Sequence, residues 1–129
     1  MKVLLCINDE VNSVGERLER MVGSVISGGH LRTCRGLEEF SRRLYRRPWE
    51  GYGIAVILAT NNQELEGFIA LRELLDGLSI ILILPHRGNG ALSKWHCLYP
   101  RFVTDADSDF KDVAAVLEKM YWNLKDKKY

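Results

Sequence analysis

The chain has 129 residues, of which 47% are hydrophobic and 27% charged, and its formal net charge is +1. That length suits one hydrophobic core and is short for two, and the near-neutral balance gives no global attraction to nucleic acid or an acidic membrane. No apolar run reaches the roughly 18 residues of a membrane span, and the opening MKVLLCINDE lacks the length and cleavage site of a secretory leader. A single cytoplasmic domain over 1–129 is expected, with a core from about 2 to 124 and a frayed, charged tail. The three cysteines, Cys6, Cys34 and Cys97, form no C-x-x-C pair. An odd number without metal spacing fits a reducing compartment, with Cys6 and Cys34 acting as small apolar core residues.

Lys2 to Ile7 is apolar after its lysine and reads as a strand buried on both faces. Val11, Val14, Leu18, Met21, Val22 and Val25 then recur at steps of three and four, which predicts an amphipathic helix. Ser13 and Glu16 are spaced as a capping box at its start, and Gly28 and Gly29 end it. His30 to Cys34 is a weaker strand. Leu37, Phe40 and Leu44 mark the inner face of a second helix stopped by Pro48. Gly53 to Ala59 is a strong strand, followed by a polar run from Thr60 to Glu64.

Leu65, Phe68, Ile69, Leu71, Leu74 and Leu75 predict a third helix that closes near Gly77. LSIILILP is another buried strand, ended by Pro85. The stretch from His86 to Pro100 is less regular, with room for one short helix around Ala91 to His96. Arg101 to Thr104 supplies a fifth strand, and Val113, Val116, Leu117, Met120 and Leu124 mark a closing helix. Five apolar strands alternating with helices predict an α/β three-layer sandwich. Its five-stranded parallel sheet should run in the flavodoxin-like order 2-1-3-4-5.

In such sheets, ligands gather beyond the carboxyl ends of the strands, at the switch between strands 1 and 3. The candidate ligand-binding residues are therefore Asn8, Asp9, Glu10, Thr60, Asn61 and Thr104. Asp9 is a weak candidate for a metal, because Mg2+ usually takes one or two carboxylates and keeps several waters. The other reading of the polar run is that Thr60, Asn61 or Asn62 caps the third helix.

VLLCINDE and the EGF at Glu66 to Phe68 resemble motifs of response-regulator receiver domains, and the likeness spans nearly the whole chain. It implies a receiver-like signalling domain of the same fold. Asn8 and Asp9 take the slots of the family's acidic pair. Counting the family's spacing of eight residues back from Gly67 reaches Ala59, where receivers carry the phosphoacceptor aspartate. Leu84 stands in place of the switch Ser/Thr, and Thr104 and Asp105 in place of the lysine. Ala59 has no nucleophilic oxygen, so no aspartyl phosphate forms there. The departures agree with one another. Opposite charges about 4 Å apart attract by roughly 4 kcal/mol at an effective dielectric of about 20, so a lysine without its aspartate loses its purpose.

The resemblance therefore implies a degenerate, non-catalytic receiver that engages a protein partner or a second copy of itself. It places that surface on the fourth segment, fifth strand and last helix. Trp95, Arg101 and Trp122 are the candidate contacts there, and Arg42, Arg43 and Arg46 form a basic face on the second helix. Glu38 and Glu39 interrupt that face and no recognition motif accompanies it, which argues against nucleic acid. No cofactor is implied. The competing reading is a domain or enzyme that binds a small ligand, anion or metal in the crevice between strands 1 and 3.

Overall fold

Apolar runs too short for helices but apolar on both faces become strands. The structure, a computed structural model, describes residues 2–7, 13–45, 52–85, 93–107 and 109–126. In chain order they form β1 (Lys2–Ile7), α1 (Ser13–Val25), a 3-10 turn (Gly28–His30), β2 (Leu31–Arg35), α2 (Leu37–Tyr45) and β3 (Tyr52–Leu58). Then follow α3 (Asn62–Ala70), β4 (Ser79–Leu84), a second 3-10 helix (Ser93–Leu98), β5 (Phe102–Asp105) and α4 (Lys111–Asp126). The five strands pair in parallel in the order β2-β1-β3-β4-β5. This is the flavodoxin-like α/β sandwich that the strand pattern predicts.

Successive strand residues point to opposite faces, and the sheet divides accordingly. Val3, Leu5, Ile7, Ile54, Val56, Leu58, Ile81 and Ile83 pack with Leu18 and Val22 of α1 and Val113 and Leu117 of α4. Leu4, Cys6, Cys34, Ala55, Ile57, Ala59, Ile80, Leu82 and Leu84 pack on the other face under Phe40 and Leu44 of α2 and Leu65 and Phe68 of α3. Phe40 and Phe68 meet edge to face, 5.7 Å between centroids. Full burial of each such side chain stabilises the fold by about 1.5–3 kcal/mol. Gly67 lets α3 approach α2, because a β-carbon at that position would overlap Leu37 Cδ2.

Some boundaries differ from those read in the sequence. α3 stops at Ala70, and residues 71–77 continue as turns rather than helix. Leu74 N–H donates to Leu71 O and Leu78 N–H to Leu75 O, each three residues back. Those turns keep Leu71, Leu74 and Leu75 on the core, so the apolar spacing outlasts the helix. Between β4 and β5 the described helical segment is 3-10 over Ser93–Leu98, reaching two residues past the expected stretch around Ala91 to His96. Ser13 is already helical, and the residues before it lie outside the described ones. The stop assigned to Pro48 also lies outside them.

Candidate functional site

The switch point lies between the carboxyl ends of β1 and β3. Asn8, Asp9 and Glu10 lie outside the described residues, so the site is built from its β3 and β5 sides. β3 ends in Leu58, and Ala59 follows it, fully buried in the cluster under α2 and α3. Its N–H donates to Ile83 O at 3.0 Å, which prolongs the pairing of β3 with β4. Position 59, which the receiver resemblance would align with a phosphoacceptor, is closed core.

The polar residues after Ala59 are committed to the start of α3. Asn61 is the N-cap, with extended backbone, and its Oδ1 accepts the Glu64 N–H at 2.8 Å. The Glu64 carboxylate reaches back in return. Its Oε1 accepts the Thr60 N–H at 2.8 Å and the Thr60 hydroxyl at 2.6 Å. This resembles a capping box displaced by one residue, since the N3 side chain satisfies the donor before the cap rather than the cap itself. A carboxylate in the first turn also complements the helix dipole. Of the three capping candidates Asn61 is the cap, whereas Thr60 lies before it and donates to Glu64, and Asn62 is the first helical residue. Glu64 was absent from the candidates, although its position three residues after Asn61 is the signal that finds it.

Thr104 lies on β5, two strand spacings or about 10 Å from β3, so it is not brought together with Thr60. It pairs with Ile83 and is half-buried, on the sheet face that carries α1 and α4. Asp105 follows at the end of β5 and is only 5% exposed. Its Oδ1 accepts the Asp107 N–H at 3.0 Å, and the chain is held there by Ala106 N–H on Leu84 O at 2.8 Å. Arg17 of α1 donates to Ala106 O at 3.4 Å and lies 4.9 Å over the Phe110 ring. Among the described residues, no group of three or more His, Cys, Asp or Glu side chains is placed to hold a metal ion.

The interface candidates lie elsewhere. Trp95 is half-buried against the α2/α3 core and stacks on His96 at 3.9 Å. Trp122 faces outward and is 52% exposed, edge to face with Tyr121. Arg101 is exposed while its N–H anchors to Ile80 O at 2.7 Å. Tyr99, 87% exposed, adds an aromatic that pattern reading did not select. Its φ of 49° lies in the left-handed region that favours glycine. On α2, Arg42 is exposed and pairs with Glu38 at 3.4 Å, whereas Arg43 is half-buried. Arg46 lies outside the described residues.

A cleft of about 310 Å3 opens at the opposite end of the sheet, by the amino ends of β4 and β5. Leu75 and Leu98 are its buried wall, and Arg72, Asp76, Cys97 and Tyr99 are exposed around it. It is therefore remote from the switch point, where the fold class concentrates its chemistry. No protein-family model, curated protein or solved structure matches this chain.

Proposed function

We propose that this protein is a non-catalytic, receiver-like interaction module. The observation that carries this reading is the state of the switch point on its β3 side. Ala59 is buried core, and Thr60, Asn61 and Glu64 hydrogen-bond one another. Phosphoryl transfer to a receiver needs an accessible carboxylate where Ala59 stands. Without one, the module acts through contact with another chain or a second copy of itself.

Trp122, Tyr99, Trp95 and Arg101 supply the aromatic and arginine side chains that anchor protein interfaces. All four lie on α4 or on the segment that leads into β5. Among the described residues, no helix is long and apolar enough to cross a membrane. The three free thiols suit a reducing cytoplasm, which is the location we assign.

The decisive test is a 15N-HSQC titration with Mg2+ and then beryllofluoride. The amides of Thr60, Asn61 and Thr104 should stay in place. Localised shifts at those amides would overturn the non-catalytic reading and favour a ligand in the crevice. Sedimentation velocity over a concentration series tests the surface in parallel. Self-association should weaken in Trp122→Ala, and association unaltered by that change would remove Trp122 from the interface.

A further inference from the structure

Cys6 on β1 and Cys34 on β2 are direct partners in the parallel register. Both side chains enter the apolar cluster under α2 and α3, and both are fully buried. Neighbouring strands run about 4.8 Å apart. That spacing falls inside the 4.4–6.8 Å range of Cα separations that a disulfide spans, although the β-carbons must close toward about 3.8 Å. Such a bond would be strained, and strained disulfides are the readily reduced ones.

The two thiols have different surroundings. Cys6 lies on a strand paired on both sides. Burial pushes its pKa well up, and Cys34, Glu64 and Glu39 push it further. Cys34 lies on β2, which among the described residues is an edge strand paired with β1. Burial and then Glu39 push the Cys34 thiol up, while the positive charges of Arg43 and Arg32 pull it back. Guanidinium groups favour the thiolate, which is the nucleophilic form. An edge strand also opens more readily than a central one.

We propose that Cys34 and Cys6 form a hydroperoxide-responsive pair, in which Cys34 reacts first and Cys6 closes a cross-strand disulfide. When β2 opens, the Cys34 thiol gives its proton to solvent and its sulfur attacks the terminal peroxide oxygen. The O–O bond breaks, and the departing oxygen takes up a proton as water or alcohol. Cys34 is left as a sulfenic acid. Cys6 sulfur then attacks the Cys34 sulfur, the S–O bond breaks, and hydroxide leaves with the Cys6 proton as water. Two thiols lose two electrons in total, and the peroxide gains them. The product ties β2 to β1 beneath α2.

The test uses the full chain with Cys97→Ser, which removes the exposed thiol. After hydrogen peroxide and alkylation in denaturant, the intact mass should be about 2 Da lower with neither cysteine alkylated, as a disulfide requires. Trypsin should release residues 3–17 joined to 33–35. In that background, Cys6→Ser should stop at a sulfenic acid on Cys34 that dimedone traps. Arg43→Gln should slow disulfide formation, because it removes a positive charge that favours the Cys34 thiolate. Two fully alkylatable cysteines, after peroxide exposure that oxidises Cys97 in the unmodified chain, would overturn the proposal. Dimedone capture on Cys6 rather than Cys34, or an unchanged rate in Arg43→Gln, would overturn the order of reaction.

Discussion

Ala59→Asp, which puts a carboxylate where the receiver resemblance would have one, should destabilise the fold rather than create a phosphorylation site. Ala59 is fully buried, among Cys6, Ile57, Leu65 and Leu84 in the same cluster. A carboxyl placed in such surroundings has its pKa raised by about three units from the usual 3.9. Each unit is about 1.4 kcal/mol, so the variant should lose about 4 kcal/mol at pH 7. Small domains hold about 5–15 kcal/mol in all, so this loss is large. It follows pH with a definite sign. Because the folded pKa is raised, the penalty is absent below about pH 4 and grows as pH rises toward 7, while only the unfolded chain ionises. Urea unfolding followed by tryptophan fluorescence at pH 4.5 and pH 7 measures this. At an m near 2 kcal/mol/M, the full penalty shifts the midpoint by about 2 M. Ala59→Asn, which adds similar bulk without a charge, should show no such pH dependence. Equal midpoints for Ala59→Asp at the two pH values would mean that position 59 opens to water, and the closed-core argument would fail.

Asn61→Ala removes the N-cap of α3 and should cost about 1 kcal/mol. With an unfolding entropy near 2.1 cal/mol/K per residue, that is about 4 °C in Tm by differential scanning calorimetry. Asn61→Asp caps equally well and should hold Tm; a loss as large as that of Ala would point to a role for the amide beyond capping. Gly67→Ala should destabilise by about 1–3 kcal/mol through overpacking, despite the better helix propensity of alanine. Leu37→Ala in the same chain should recover part of that loss, because the overlap is with Leu37 Cδ2. Strictly additive denaturation midpoints would show that the contact between α2 and α3 is not tight.

Strand existence and order were legible because the strands are apolar on both faces, as in Ile54 to Ala59 and Ile80 to Leu84. Only a parallel sheet covered twice has use for such runs. The end of α3 was less legible for a physical reason. Apolar residues every three or four positions suit a helix and a succession of three-residue turns alike, so Leu71, Leu74 and Leu75 carried no mark of the change at Ala70. Asn61 was legible as a cap, but the reach of Glu64 past it to Thr60 depends on side-chain geometry. Arg43 read as solvent-facing with Arg42, yet it follows Phe40 by three residues and so borders the buried stripe of α2. It is half-buried where Arg42 is exposed. The pairing of Cys6 with Cys34 needs the register of two strands at once, which neither run specifies alone.

The two faces of the sheet are equally apolar but unequal in bulk. Cys6, Cys34, Ala55 and Ala59 lie on the side that receives Phe40 and Phe68, whereas valine, leucine and isoleucine supply the strand residues of the other. A one-residue slip of β3 would exchange Ala55, Ile57 and Ala59 for Ile54, Val56 and Leu58 beneath the phenylalanines. Polarity would not oppose that slip, since every residue involved is apolar. Volume would, because the space that Ala55 and Ala59 leave does not take Ile54 and Leu58 at the density of a protein interior. The alignment of this sheet is thus chosen by how much room each side chain leaves. Enlarging the alanines and cysteines should blur that choice, even when the replacement is hydrophobic.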